Sequence, residues 1–170
     1  MSCVAPCLTC NSIGSCTSCV ANYYLYQSSC LSSCPMGTYY TSTATYKYCS
    51  DCGIGCNNCT SATNCHFCQS GYALFNGNCV TTCPALYYAG LVSSSTFTNT
   101  NAYQCLACYS PCLTCTSPTT CTTCLSGFYL YKSTCLILCP SGFYASSSVI
   151  SSSGTTQNSC LVCDSTCLTC

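Results

Sequence analysis

The stretch CSDCGIGCNNCTSATNCHFCQSGYALFNGNCVTTC, Cys49 to Cys83, carries eight cysteines spaced C-x2-C-x3-C-x2-C-x5-C-x2-C-x10-C-x3-C. The same spacing recurs without a slip at Cys105, Cys108, Cys112, Cys115, Cys121, Cys124, Cys135 and Cys139. A pattern that returns intact through eight positions is a rule of construction, and it divides the rest of the chain. Cys3, Cys7, Cys10, Cys16, Cys19, Cys30 and Cys34 match the unit from its second member onward, and Cys160, Cys163, Cys167 and Cys170 open a fourth copy. The leading cysteines recur at intervals of 56 and 55 residues, so the period is well defined. The expected organisation is residues 1–48, 49–104, 105–159 and 160–170, with the first and last copies truncated.

Composition says what holds such units together. Ile, Leu, Val and Phe supply only 29 of 170 residues, below the level that supports a packed core, whereas cysteine supplies 27. Such density marks a disulfide scaffold in an oxidising compartment, which predicts an extracellular or cell-surface location. Lys47, Lys132, Asp51 and Asp164 are the only ionised side chains, and the net charge is zero. Phosphate neutralisation needs clustered Lys and Arg, so nucleic-acid binding is excluded, and nothing repels one copy of the chain from another. No apolar run reaches the length of a membrane-spanning helix. Met1-Ser2-Cys3 leaves no room for a secretory leader ahead of the first cysteine, so the expectation is a processed product or a piece of a longer polypeptide.

Other columns repeat alongside the cysteines. Asn22-Tyr23-Tyr24-Leu25-Tyr26, Gly71-Tyr72-Ala73-Leu74-Phe75 and Gly127-Phe128-Tyr129-Leu130-Tyr131 each alternate rings with aliphatic side chains after a turn residue. Gln27-Ser28-Ser29, Asn76-Gly77-Asn78 and Lys132-Ser133-Thr134 follow them, which predicts short β-hairpins. Proline follows the eighth cysteine at Pro35, Pro84 and Pro140, and an aromatic pair then begins a second extended segment at Tyr39-Tyr40, Tyr87-Tyr88 and Phe143-Tyr144. The next loops vary in length, and their Ser/Thr-rich tips, such as Ser93-Ser94-Ser95-Thr96 and Ser151-Ser152-Ser153-Gly154-Thr155-Thr156, read as exposed and mobile. No stretch keeps a helical period. The expected fold is a small disulfide-rich repeat protein, mostly irregular with short β-hairpins, stacked into an elongated rod.

The C-x2-C-x3-C run, the closely following C-x2-C, the aromatic hairpin and the C-x3-C-P motif resemble the furin-like cysteine-rich repeats of growth-factor-receptor ectodomains. The regular spacing and the charge-poor Ser/Thr/Tyr filling also resemble large cysteine-rich surface proteins of protists, ciliates in particular. That resemblance implies a pairing of the second cysteine with the fourth, third with fifth, sixth with seventh, and eighth with the first of the next unit. Carried onto this chain, it implies Cys3 with Cys10, Cys7 with Cys16, Cys19 with Cys30 and Cys34 with Cys49 in the opening copy. For the second copy it implies Cys52 with Cys59, Cys56 with Cys65, Cys68 with Cys79 and Cys83 with Cys105. The third gives Cys108 with Cys115, Cys112 with Cys121, Cys124 with Cys135 and Cys139 with Cys160, and Cys163 with Cys170 ends the series. Cys167 is left unpaired within the chain, its partner in this scheme falling beyond Cys170. Each bridge is worth ~2 to 4 kcal/mol through the unfolded state, so the fold is expected not to survive reduction.

Chemistry-bearing motifs are few. The C-x2-C pairs match zinc-knuckle spacing, but the three-residue and ten-residue gaps repeat as strictly as the pairs, which favours a disulfide lattice over metal, and no cofactor is expected. Redox catalysis needs an electropositive thiol site, which two lysines do not build. His66, the single histidine, stands between Cys65 and Phe67 without an acid partner, so it reads as a surface ring and no catalytic residue is assigned. Asn58-Cys59-Thr60 fits the N-glycosylation sequon, and the Ser/Thr tips suit O-linked sugar. The tyrosine columns have two readings, a thin cover over the disulfides or exposed anchors for neighbouring molecules. The functional expectation is a non-enzymatic structural or interaction protein, part of a surface coat or filament formed by self-association or with other surface proteins. The alternative is the cysteine-rich stalk or ligand-binding module of a surface receptor.

Overall fold

Cysteine, glycine, proline and serine interrupt every apolar run, so no segment offers the continuous stripe that a helix needs, whereas alternating Tyr, Leu and Thr suit extended chain. The computed structural model describes residues 2–93, 102–149, 156–166 and 170, and among these every regular element is a β-strand. The chain divides into two compact units, Met1–Thr81 and Thr82–Cys170.

In the first unit the opening copy forms an inner hairpin from β1 (Cys7–Ser12) and β2 (Ser15–Cys19), then a short hairpin from β3 (Tyr24–Tyr26) and β4 (Ser29–Leu31). A third, longer hairpin follows, made of β5 (Thr38–Ser42) and β6 (Lys47–Asp51). β6 lies parallel to β3 through Leu25 and Tyr48, giving a four-stranded sheet in the order β4-β3-β6-β5. The second copy repeats the inner hairpin with β7 (Cys56–Ser61) and β8 (Asn64–Cys68), and the short one with β9 (Ala73–Phe75) and β10 (Asn78–Val80).

In the second unit, β11 (Tyr87–Val92) and β12 (Ala102–Ala107) make a long hairpin. β13 (Cys112–Ser117) with β14 (Thr120–Cys124) is the next inner hairpin, and β15 (Tyr129–Tyr131) with β16 (Thr134–Leu136) the next short one. β17 (Phe143–Val149) and β18 (Thr156–Val162) complete a further four-stranded sheet, β16-β15-β18-β17, with one parallel pair, at Leu130 and Ser159. Of the Ser/Thr loop tips, Ser94-Ser95-Thr96 and Ser151 to Thr155 lie outside the described residues.

Local chemistry accounts for the turns. Each short hairpin turns through two residues with positive φ: Gln27-Ser28 at 46° and 62°, Asn76-Gly77 at 49° and 76°, and Lys132-Ser133 at 44° and 63°. Such turns match the right-handed twist of the strands they join. The second turn residue also offers its carbonyl inward: Cys16 N–H donates to Ser28 O (2.8 Å), Cys65 N–H to Gly77 O (2.7 Å) and Cys121 N–H to Ser133 O (2.8 Å). These bonds tie each short hairpin to the inner hairpin of its own copy.

Copies meet at a second fixed turn, three residues past the eighth cysteine. Gly37 N–H donates to Asn57 O and Gly37 O accepts from Cys52 N–H, both at 2.8 Å. Leu86 repeats this, donating to Leu113 O at 2.7 Å and accepting from Cys108 N–H at 2.8 Å. All three residues at this position adopt positive φ: Gly37 at 81°, Leu86 at 72° and Gly142 at 82°.

The core is sulfur. Every buried apolar side chain among the described residues, apart from that of Ala73, is a half-cystine, and no polar side chain among them is buried. One cluster joins Cys56, Cys59 and Cys65, with Tyr39 and Leu74 packed on it; another joins Cys112, Cys115, Cys121 and Cys135 under Tyr88, Phe128 and Leu130.

Candidate functional site

Thirteen disulfides among the described residues set the geometry of everything the chain presents. Within copies the structure joins Cys3–Cys10, Cys52–Cys59, Cys108–Cys115 and Cys163–Cys170. Cys7–Cys16, Cys56–Cys65 and Cys112–Cys121 cross the inner hairpins. Cys19–Cys30, Cys68–Cys79 and Cys124–Cys135 strap each short hairpin to the inner hairpin before it. Cys34–Cys49, Cys83–Cys105 and Cys139–Cys160 connect one copy to the next across the long hairpins, with Cα atoms 5.5 Å apart in all three. Cys167 lies outside the described residues.

Sulfur atoms from different bridges converge. Cys7, Cys16 and Cys30 place their Sγ atoms within 4.8 Å of one another, as do Cys56, Cys65 and Cys79, and Cys112, Cys121 and Cys135. Cys79 Sγ is 3.3 Å from Cys65 Sγ. Metal ligation requires thiolate, and each of these sulfurs is already bonded to another half-cystine, so these triads are stacked disulfides. Cys52, Cys56 and Cys59 form a fourth such group, also fully bridged.

The rings sort into two populations. Tyr39 and Tyr88 lie on the half-cystine clusters, whereas Tyr40, Tyr103 and Tyr109 are exposed. Tyr24 and Tyr40 face each other with centroids 6.2 Å apart, and Tyr131 meets Phe143 edge-on at 4.8 Å. Lys47 and Lys132 place their Nζ atoms 5.9 Å and 5.3 Å from the rings of Tyr24 and Tyr131, so both cations stand over aromatic faces. Adjacent residues of a strand point to opposite faces, which is why along β5 Tyr39 is drawn in and Tyr40 is left outside.

The few charges make local contacts. The Tyr26 phenol donates to Asp51 Oδ1 at 3.1 Å, and this hydrogen bond to a carboxylate is the main reason its pKa lies above the ordinary tyrosine value. Asp164 is held below the usual carboxylate range because the backbone N–H of Thr166 donates to it at 3.1 Å and the Thr166 hydroxyl at 2.9 Å. His66 stands exposed on β8.

Asn58 and Thr60 are exposed on β7, and both border an open groove of about 680 Å³ in the first unit. Tyr24, Tyr39 and Tyr40 line this groove together with hydroxyl-bearing residues such as Thr38 and Ser33. The sequence showed the sequon at Asn58 but not the groove, because the rings come from β3 and β5, far away in the chain. Among the described residues no helix is long and apolar enough to cross a membrane.

Comparison with known proteins agrees with this architecture. Residues 29–95 match the family described as furin-like repeat, cysteine-rich. The chain is 41% identical over 78 residues to proprotein convertase subtilisin/kexin type 6 of Rattus norvegicus, covering 44% of this chain and 8% of that protein. It is 50% identical over 44 residues to furin-like protease 2 of Drosophila melanogaster, 25% of this chain and 3% of the relative. Cysteine repeat modular protein 1 of Tetrahymena thermophila is 49% identical over 45 residues, 25% of this chain and 2% of the relative. The chain thus spans less than a tenth of the length of each of these relatives. Spacing, hairpins and similarity converge on residues 29–95, the part of the chain that matches the furin-like, cysteine-rich repeat.

Proposed function

We propose that the chain is a non-catalytic segment of an extracellular or cell-surface protein, contributing to a coat or filament by associating with copies of itself. The observation that supports this most directly is the set of large apolar side chains left in solvent on a molecule of zero net charge. Ile54 is 87% exposed, Met36 82% and Leu138 79%, and Leu8, Ile13 and Ile137 are exposed as well. Four ionised side chains in 170 residues supply almost no repulsion against a second copy. Exposed apolar surface without charge is the composition of a contact surface. The disulfide lattice suits an oxidising, mechanically demanding setting, because it keeps the chain folded without a hydrophobic core.

The test is concentration-dependent light scattering of the native, oxidised protein, paired with negative-stain imaging. Ordered assemblies that grow with concentration are the expected result; discrete monomers at high concentration would count against self-association. The second reading, a stalk or ligand-binding module of a larger receptor, draws on the similarity to proteins of which this chain spans only a small share. It predicts the monomeric outcome of the same experiment.

A further inference from the structure

The inner hairpins of the three copies have the same spacing, yet one strand position differs in chemistry. In the first copy Thr9 stands two residues past the third cysteine, and its hydroxyl bonds across the hairpin to Thr17 and Ser18. In the third copy Thr114 does the same with Thr122 and Thr123. The second copy replaces this hydroxyl cluster with Asn58 on one strand and His66 and Phe67 on the other. Among the described residues the carboxamide of Asn58 has no hydrogen-bond partner, and the residue is exposed. Asn58 is also the first residue of the sequon Asn58-Cys59-Thr60, and Asn58 and Thr60 both border the groove walled by Tyr24, Tyr39 and Tyr40.

We propose that Asn58 carries an N-linked oligosaccharide whose core sugars lie along this groove. The covalent step joins Asn58 Nδ2 to the anomeric carbon of an oligosaccharide delivered on a lipid-linked diphosphate. The anomeric C–O bond breaks, the diphosphate leaves with that electron pair, and Nδ2 loses one proton. Transfer acts on extended chain before the hairpin closes, while Cys59 is still free of Cys52. After folding, the attachment point faces solvent rather than the half-cystine core, so the sugar needs no rearrangement of the lattice. The groove matches the ligand's chemistry. A saccharide is uncharged, offers apolar C–H faces that stack on rings, and offers hydroxyls to the Thr38 and Ser33 side chains. Its hydration also supplies what four ionised side chains do not.

Glycosylation at Asn58 is independent of self-association, requiring only that the chain passes through a glycosylating secretory route. Its test uses the intact chain secreted from a eukaryotic host, with disulfide formation followed separately by thiol counting. Denatured protein treated with peptide N-glycosidase should lose mass, and peptide mapping should place the resulting Asn-to-Asp conversion at Asn58. Asn58→Gln and Thr60→Val should both abolish the shift. Fully oxidised protein with unmodified Asn58 would overturn the proposal while leaving the extracellular reading intact. Seating in the groove is read from native deglycosylation. Tyr40→Ala should speed it roughly fivefold at unchanged occupancy, the factor that one ring contact corresponds to. An unchanged rate in Tyr40→Ala and in Tyr24→Ala would overturn the seating.

Discussion

The inner hairpins Cys7–Cys19 and Cys56–Cys68 share their spacing, their register and their bulges, yet Cys56 and Cys59 are buried while Cys7 and Cys10 are only partly so. The difference comes from outside the hairpin. Tyr39 of the preceding long hairpin packs on the cluster of Cys56, Cys59 and Cys65, and the turn at Gly37 bonds to Asn57. In the third copy Tyr88 and Leu86 do the same for Cys112 and Leu113. Among the described residues no long hairpin precedes the first inner hairpin to supply such a ring. Each copy therefore closes three cross-links within itself but takes part of its core from its neighbour. A copy is closed neither in its packing nor in its covalent bonds: its eighth cysteine bridges to the next copy, and that bridge closes the long hairpin carrying the covering tyrosine.

Removing the cover should make the second hairpin behave like the first. Tyr39→Ala is expected to cost about 2 kcal/mol against guanidinium unfolding with disulfides intact, less than a fully buried ring because Tyr39 keeps some exposure. Partial reduction followed by alkylation and non-reduced peptide mapping reads the same effect bridge by bridge. In the unsubstituted protein Cys7–Cys16 should open before Cys56–Cys65 and Cys112–Cys121. In Tyr39→Ala, Cys56–Cys65 should move toward the front of that order while Cys112–Cys121 stays where it was. If all three open together in both proteins, burial by the neighbouring ring does not govern their stability.

The junction turn offers a smaller perturbation of the same interface. A Cβ on Gly37 would meet only the Cys56 carbonyl oxygen, at 3.7 Å, so there is room for it. The obstacle is the backbone, held at φ 81° by hydrogen bonds on both sides. Gly37→Ala should cost about 1 kcal/mol from that strain. Leu86 already carries the strain at φ 72°. Leu86→Gly relieves it but frees the unfolded chain and deletes a half-exposed side chain, so its net effect should be smaller than that of Gly37→Ala. Denaturation midpoints of the two variants, measured side by side, check the comparison. A neutral Gly37→Ala would mean that the turn is not held by its two hydrogen bonds.

Leu86 also marks where the sequence stops being legible. Cysteine positions announce a stapled β-hairpin repeat because the cross-linking residues are themselves the pattern, and turn residues such as Asn76-Gly77 announce where the chain reverses. Leucine announces neither a turn nor a positive φ; Leu86 sits there because Cys108 and Leu113, distant in sequence, bond to its backbone. The tyrosine columns could be read as cover or as exposed anchors, and which of Tyr39 and Tyr40 is covered depends on where β7 lies. The parallel pairing of Leu25 with Tyr48 was equally hidden, since it joins strands with others between them in sequence. Asn58 showed as a motif. Its exposure, its free carboxamide and the ring-lined groove beside it belong to packing, and no local spacing encodes them.

The smallest expected effect separates the short hairpins. Tyr26 in the first copy donates to Asp51, whereas the corresponding pair is Phe75 and Ala107 in the second copy and Tyr131 and Val162 in the third. The Asp51 carboxylate favours the protonated phenol, so the folded-state pKa of Tyr26 lies above its unfolded value of about 10. A raised pKa means that the stabilisation is fully present below the unfolded value and is lost as pH rises through the folded one. The contact lies at the surface, so solvent screens the effect and it should register in titration more clearly than in stability. Following the Tyr26 ring resonances against pH should show it ionising above the ordinary tyrosine value. Asp51→Asn should bring its midpoint down toward that value. A midpoint already at the ordinary value in the unsubstituted protein would show that the Tyr26–Asp51 bond does not persist in solution, and the first short hairpin would then differ from the others in sequence alone.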